Sequence, residues 1–245
     1  MSRRFGSTAL WLGLAFMGLV TVMPLAEPLF RAWYPALERP VYTRASFATL
    51  ALWHVGLVAL SSVVMITLGV AVGAFVTRPR GRAFAGLVDT VATIGQTFPP
   101  VAVLAIAVPL MGYGALPTLL ALVAYGVLPV VETTVTGLRG VPAAVREAAD
   151  GAGFSPVGRL FRIELPLAAP VILAGVRTAV VINIGTATIG STVGALTLGS
   201  PIIEGLSGSN PAYVVQGAVL VGLLAVFADQ AFELVQRWLT RHQAE

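Results

Sequence analysis

The chain carries no charged residue between Asp89 and Glu132, and equally uncharged runs occupy residues 5–26 and 45–77. About twenty consecutive apolar residues are enough for a helix to cross the hydrocarbon core of a bilayer. The composition agrees with these runs, since 57% of the residues are apolar and only 11% are charged. The sequence therefore predicts an integral membrane protein and excludes a soluble domain with an ordinary core.

The apolar runs predict an all-α membrane protein with about six transmembrane helices. We expect these helices near residues 6–25, 47–76, 86–110, 115–136, 167–191 and 212–236. Residues 1–46 would hold the first helix and an external loop, residues 47–238 a core of five helices, and residues 239–245 a cytoplasmic tail. Polar loops are expected at residues 27–45 and at about residues 199–211. A cleavable signal peptide is the alternative for the first run, but its length and the membranous remainder favour a retained helix.

The arginines set the expected orientation, because cytoplasmic loops carry an excess of basic residues. With the N-terminus inside, only Arg31, Arg39 and Arg44 lie outside, and Arg177 falls within a span. The arginines expected in the cytoplasm are Arg3, Arg4, Arg78, Arg80, Arg82, Arg139, Arg146, Arg159, Arg162, Arg237 and Arg241. Both termini are then cytoplasmic, and the net charge of +4 reflects topology rather than a nucleic-acid partner.

A short polar island follows the fourth apolar run. Pro142 suits the first turn of a helix, where its missing N–H costs nothing. Arg146 and Asp150 stand one turn apart and can pair. Gly151 and Gly153 are expected to end the helix, as glycine does at left-handed C-caps. Small side chains leave this helix almost bare, so that another protein could approach it closely: Ala143, Ala144, Ala148 and Ala149. The alternative is an amphipathic helix that lies on the membrane surface.

The island carries a further pattern, E-A-A followed after three residues by Gly153, with Leu165 and Pro166 downstream. The pattern resembles the EAA signature of permease subunits of ABC importers, in which such a helix docks onto the ATPase subunit. The resemblance implies a cytoplasmic EAA coupling helix at residues 141–153. The residues expected at the ATPase contact are Pro142, Arg146, Glu147, Ala148, Ala149, Asp150 and Gly153.

Two intramembrane stretches contain polar residues and form the expected translocation pathway. The first consists of Gln96, Thr97, Phe98, Pro99 and Pro100. Its two prolines remove helix hydrogen bonds and expose carbonyl groups, which is tolerated against protein or a watery cavity. The second contributes Asn183, Thr186, Thr188, Ser191 and Thr192. Packing is the alternative in both places, as a simple kink in the first stretch and as close helix contact in the second.

Two isolated polar residues inside the expected spans are Arg177 and His54. Arg177 could be a buried functional cation, or it could reach to the interface from a helix that starts outside the bilayer. His54 has no second histidine or carboxylate at ligand spacing, so we expect a packed, hydrogen-bonded side chain and no metal site. The chain has no Cys and no Lys, which excludes disulfides, a phosphate-binding loop and Schiff-base chemistry. We expect no cofactor on this chain, and ATP hydrolysis on a separate one.

Four segments together look like the osmoprotectant branch of these permeases: residues 96–99, 125–129, 165–179 and, most specifically, 184–195. That branch carries quaternary amines such as glycine betaine, choline and carnitine. The resemblance covers residues 48–236 and implies a MetI-like permease fold in a bacterial inner membrane. It also implies a second permease subunit, identical or paralogous, two ATPase subunits and a separate extracytoplasmic binding protein. Glu132 departs from the pattern, in which a basic residue is expected.

Other solutes and other mechanisms are alternatives. A permease for an ergothioneine-like betaine or for an amino acid would share the EAA signature. An ion-coupled secondary transporter usually needs carboxylates near the midplane of the membrane. Asp89, Glu132 and Asp229 are each expected near the cytoplasmic edge, so the sequence favours an ATP-driven importer.

Overall fold

The computed structural model describes residues 2–241, and every regular element within this range is helical. The α-helices are α1 (Ser2–Val22), α2 (Glu27–Trp33), α3 (Phe47–Val76), α4 (Ala85–Thr97), α5 (Pro100–Met111), α6 (Ala115–Arg139), α7 (Ala143–Gly151), α8 (Pro156–Arg159), α9 (Leu165–Ala187), α10 (Ser200–Ser207) and α11 (Pro211–Arg241). Short 3-10 segments cover Met23–Ala26, Arg82–Phe84 and Thr188–Val193, and a π-helix covers Leu160–Glu164. Residues 242–245 of the expected tail lie outside the described residues.

Within residues 2–241, five helical segments are long and apolar enough to cross a membrane. They are Ser7–Trp33, Phe47–Val76, Ala115–Arg139, Pro156–Val193 and Pro211–Leu239. A sixth crossing would combine Arg82–Gly95 with Pro100–Met111, which are bent by 97° with respect to each other. The prediction of an all-α membrane protein with about six spans is confirmed. The span expected near residues 86–110 consists of two helices, because Pro99 and Pro100 break the helix between α4 and α5.

The expected loops and one helix boundary need correction. Residues 27–33 form α2 and residues 200–207 form α10, although both were expected within polar loops. In each case a proline occupies the first turn of the helix, where it needs no hydrogen-bond donor. The fifth span begins at Pro156 and not near residue 167, because the π-helix joins α8 to α9 without a break.

The core of the molecule is formed by α3, α6 and α9, which contact one another along their lengths. Gly69 and Gly73 of α3 let the backbone of α6 approach closely. A Cβ atom at Gly69 would lie 2.7 Å from the Cβ of Val130, and one at Gly73 would lie 2.6 Å from the Cβ of Thr134. On α9, a Cβ at Gly175 would meet α6 even more tightly. Small residues are the usual means of close helix packing where lipid removes the hydrophobic driving force.

His54 ties α3 to the segment that follows α9. Its Nδ1 accepts a hydrogen bond from the Leu198 N–H at 3.2 Å, and its Nε2–H donates to the Ile184 carbonyl at 3.1 Å. The side chain is fully buried. The prediction of a packed, hydrogen-bonded histidine is therefore confirmed.

The loop between α2 and α3 is fixed to α10 and α11. The Tyr42 hydroxyl donates to Glu204 Oε1, and Arg44 Nε donates to Glu204 Oε2, both at 2.9 Å. Gln216 on α11 accepts from the Tyr42 N–H at 3.1 Å and donates to the Pro40 carbonyl at 2.6 Å. Burial and the neighbouring Glu204 carboxylate raise the pKa of the Tyr42 hydroxyl. These bonds order the loop against the two C-terminal helices.

Candidate coupling helix and translocation path

The polar island forms α7, a separate short helix between the ends of two membrane-spanning segments. Pro142 precedes it in an extended conformation, with φ −59° and ψ 142°. The Pro142 carbonyl accepts hydrogen bonds from the Val145 N–H at 3.1 Å and the Arg146 N–H at 3.3 Å. The proline therefore sits immediately before the first turn, one position earlier than expected.

The C-terminal end of α7 is a Schellman motif. Gly153 has φ +81°, and its N–H donates to the Asp150 carbonyl at 3.0 Å. The Phe154 N–H closes the outer bond by donating to the Ala149 carbonyl at 3.1 Å. Gly153 thus ends the helix as expected. Gly151 does not end it, because it is the last helical residue and has an ordinary helical conformation.

One face of α7 is exposed and almost bare. Its exposed side chains are Ala143, Ala144, Glu147, Ala148 and Asp150. Ala149 points the other way and is only 4% exposed, so its methyl group is already covered by this chain. A partner backbone can reach the exposed alanines directly, whereas Ala149 is buried within this chain.

A network of ion pairs joins α7 to the membrane-spanning helices. Arg159 binds both carboxylate oxygens of Asp150 through Nη1 and donates from Nε to Glu164 Oε1 at 2.8 Å. Arg78, just beyond α3, binds the other oxygen of Glu164. Glu164 is 1% exposed and Arg159 is 19% exposed, so these two members are shielded from water, whereas Asp150 is 53% exposed.

The expected pair between Arg146 and Asp150 does not form. Asp150 binds Arg159 instead, because α8 folds back beside α7 and brings that guanidinium to the carboxylate. Arg146 lines a cavity between α7 and the ends of the spanning helices. The sequence interpretation missed Glu164 and Arg159, although a glutamate directly before a long apolar run was an available signal.

The first expected path segment is the break between α4 and α5. Thr97, Phe98 and Pro99 are exposed on the surface of the chain. Pro99 and Pro100 have no N–H, and the Gly95 carbonyl receives only a long 3.4 Å bond from the Phe98 N–H. The Gly95 carbonyl is therefore only weakly bonded at this point. The side chain of Gln96 lies outside the described ones.

Asn183, in the second expected segment, is fully buried between α3, α6 and α9. Its amide donates to the Leu122 carbonyl at 3.1 Å and lies 3.4 Å from the Met65 sulfur. The Asn183 Oδ1 atom is buried without a hydrogen-bond partner. Within one chain, Asn183 holds the three core helices together and has no contact with the surface.

The hydroxyl residues of the second segment are nearer the surface. Thr186, Thr188 and Thr192 each donate to a carbonyl three or four residues earlier, at 3.0, 2.6 and 2.7 Å. Ser191 turns inward and bonds the Thr197 hydroxyl at 2.8 Å. Each hydroxyl oxygen of the three threonines keeps acceptor capacity for a passing group.

The second segment packs against α5 and the turn that follows it. The Gly114 N–H donates to the Val193 carbonyl at 2.7 Å, and the 3-10 segment Thr188–Val193 contacts α5. The helix α5, which follows the Pro99–Pro100 break, therefore lies against the 3-10 segment Thr188–Val193.

These helices define a multi-pass membrane protein whose core is a bundle of long, closely packed spans. Residues 65–241 match the family described as "Binding-protein-dependent transport system inner membrane component", and the chain belongs to this family. It is the permease family of ABC importers, whose members work with ATPase and binding-protein components. The predicted family and the inner-membrane location are thus confirmed.

Two sequence relatives and one solved structure agree with this assignment. The choline transport system permease protein OpuBB of Bacillus subtilis is 38% identical over 187 residues, which cover 76% of this chain and 85% of that protein. The osmoprotectant import permease protein OsmY of Salmonella typhimurium is 34% identical over 226 residues, covering 92% and 95%. A structure of the MetNI methionine ABC transporter superposes with a TM-score of 0.68 at 20% identity, covering 77% of this chain and 93% of that chain. The resemblance to the osmoprotectant branch and the MetI-like fold are therefore confirmed.

Proposed function

We propose that this chain is the transmembrane subunit of an ATP-driven importer for quaternary-amine osmoprotectants such as glycine betaine, choline or carnitine. The substrate class is supported by relatives named for choline, for osmoprotectants and for glycine betaine, carnitine and choline together. The coupling role is supported by α7, a bare helix that the Arg159 network ties to two spanning segments. Movement of α7 by a partner subunit would therefore be transmitted to both spanning segments.

The proposed topology places both termini and α7 in the cytoplasm, as the arginine distribution favours. Two copies of this chain, or this chain and a paralogue, would form the pathway, with two ATPase subunits below. A separate extracytoplasmic binding protein would deliver the solute. ATP hydrolysis would take place on the ATPase subunits, and this chain would hold no cofactor. The residues offered to the ATPase are Pro142, Glu147, Ala148, Asp150 and Gly153, whereas Arg146 lines the cavity beside α7 and Ala149 is buried within this chain.

The chemistry of the path suits a quaternary amine. Such a cation has no N–H to donate, so it is best held by several weak contacts with oxygen atoms. The weakly bonded Gly95 carbonyl at the Pro99–Pro100 break and the hydroxyls of Thr186, Thr188 and Thr192 would supply them. None of these groups is a carboxylate, which would bind the cation strongly, so the solute can be released into the cytoplasm.

Uptake by cells tests the proposal directly. Deleting the gene should abolish uptake of radiolabelled glycine betaine, choline or carnitine, and a plasmid copy should restore it. Depleting ATP should stop uptake, whereas collapsing the ion gradients at constant ATP should not. Uptake that survives ATP depletion but follows an ion gradient would identify a secondary transporter and overturn the proposal.

A further inference from the structure

A cavity of about 490 Å³ opens where α3, α6, α7 and α8 meet. Its charged lining consists of five arginines and one carboxylate: Arg78, Arg82, Arg139, Arg146, Arg159 and Glu164. Such an excess of one charge around one concave space is costly unless an anion neutralises it.

The single carboxylate of the lining, that of Glu164, already forms ion pairs with two arginines. Arg78 binds one oxygen of Glu164 and Arg159 the other, and Arg159 also binds Asp150. Arg82, Arg139 and Arg146 take part in none of the ion pairs found within residues 2–241. Three guanidinium groups therefore border the cavity without an acidic partner in the described part of the chain.

An orphaned donor in the same wall points to a missing acceptor. Arg78 uses Nη2 for Glu164, but its Nε–H is buried and has no hydrogen-bond partner. A buried donor without an acceptor costs free energy, and more so when it belongs to a charged group. An oxygen atom of a ligand in the cavity would satisfy it.

The position of the cavity relative to the membrane narrows the choice of anion. The long spans α3 and α6 end at its rim, at Val76 and Arg139. The rim is therefore at the depth of lipid headgroups. Planar guanidinium forks match the oxygen geometry of phosphate, and arginine pockets at helix ends suit phospholipid headgroups.

We propose that this cavity is a binding site for a phosphate group, supplied by the headgroup of an anionic phospholipid. Arg82, Arg139 and Arg146 contact the phosphate oxygens, and Arg78 donates its free Nε–H. Inorganic phosphate shares this chemistry and is the other source. The proposal uses the cluster of arginines, the unpartnered Arg78 Nε–H and the membrane depth of the helix ends, and it does not depend on the transported solute.

Native mass spectrometry of the full-length chain in a neutral detergent tests the site. Phosphatidylglycerol is titrated in one arm, zwitterionic phosphatidylcholine in a second, and inorganic phosphate, followed by calorimetry, in a third. The test variant is R82Q/R139Q, which removes two unpaired cavity arginines and leaves the Glu164 network intact. The control is R80Q/R162Q, since Arg80 and Arg162 are exposed, lie outside the cavity and carry the same charge.

Tighter binding of phosphatidylglycerol than of phosphatidylcholine is expected, with about fivefold loss for each cavity arginine removed. The control should retain the original affinity. Binding of inorganic phosphate with the same dependence on R82Q/R139Q would support the site and identify free phosphate as its ligand. If no probe binds, or if the control loses as much affinity as the test variant, the proposal is wrong. Size-exclusion profiles that match the unaltered chain establish that both variants are folded.

Discussion

Arg177 on α9 and Asp229 on α11 form two parallel hydrogen bonds, from Nε at 2.5 Å and from Nη2 at 2.6 Å. Glu233, one helical turn further, lies 3.6 Å from the same guanidinium. Arg177 is 25% exposed and Asp229 is 34% exposed, so the pair is mostly shielded. Arg177 is the only charged residue of its apolar run in the sequence, and the carboxylates of the neighbouring helix α11 neutralise it. This pairing is how ionisable groups are usually accommodated inside membrane proteins.

Replacing Asp229 with asparagine should destabilise the protein by about 2 kcal/mol. Removing one partner of a buried ion pair costs about 3–5 kcal/mol, and the partial exposure of this pair reduces the cost. The double variant R177M/D229L should be more stable than D229N, because D229N leaves Arg177 with only the longer 3.6 Å contact to Glu233, and Glu233 itself is still paired with Arg237 in the double variant. Melting temperatures in detergent measure all three. As a control, Glu27→Gln breaks the exposed Arg31–Glu27 pair and should cost less than about 1 kcal/mol. Equal losses for D229N and E27Q would contradict the prediction.

Substitution of Asp150 and substitution of Glu164 should have different effects on stability. Asp150→Asn removes the link between α7 and Arg159, but at 53% exposure it should cost less than about 1 kcal/mol of stability. Glu164→Gln removes two charge-assisted bonds from a buried site and should cost more than about 2 kcal/mol. Substrate-stimulated ATP hydrolysis should fall in Asp150→Asn although its melting temperature is retained.

The control for this comparison is Glu38→Gln, an exposed carboxylate in the loop between α2 and α3. It should change neither stability nor stimulation. If substrate stimulates ATP hydrolysis as strongly in Asp150→Asn as in the control, the ion-pair network has no part in coupling.

Bulk added to the exposed face of α7 should prevent coupling without unfolding the permease. Ala148→Trp places a large ring on the bare face, and Gly153→Val forces a β-branched residue into φ +81°, at a cost of about 1–2 kcal/mol. Both variants should reach the membrane yet co-purify with less ATPase subunit. Gly151→Ala is the matched control, because a Cβ there meets nothing within 4 Å and the residue is helical. Loss of ATPase in that control as well would show that any change to α7 is harmful.

Cysteine scanning should locate the path, since the natural chain has no cysteine. Gln96→Cys, Thr186→Cys and Thr188→Cys should react with a small water-soluble thiol reagent, at rates that change with nucleotide state in the assembled importer. Leu52→Cys is the lipid-facing control, because Leu52 is 74% exposed on a transmembrane helix. Labelling of the three path positions no faster than at Leu52 in every state would place the path elsewhere.

Much of the fold follows from the sequence because membrane spans are encoded locally. A run of apolar residues specifies a helix through the bilayer without reference to the rest of the chain. The same is true of the ends of α7, where Pro142 and Gly153 act through their own backbone preferences. Such features need no knowledge of tertiary contacts.

The sequence does not predict contacts that depend on how separate helices pack together. The partner of Arg177 is 52 residues away in the chain. Asp150 is near both Arg146 and Arg159 in sequence, but it pairs with Arg159 because α8 folds back beside α7. Asn183 stays a prediction for the path, and its contacts with Met65 and Leu122 depend on the packing of three helices. The polar loops were misjudged because glycine, serine and proline also begin short helices, as at α10.

The π-helix that joins α8 to α9 has a mechanical consequence. It joins residues 156–193 into one continuous helical segment of 38 residues, about 55 Å long at a rise of 1.5 Å per residue. Near the midpoint, a Cβ at Gly175 would come within 2.0 Å of Thr133 Oγ1, so the segment packs closely against α6 there. Arg159 is near one end and the threonines of the expected path are near the other. If the segment tilted by about 10° about this contact, its two ends would move by about 5 Å in opposite directions.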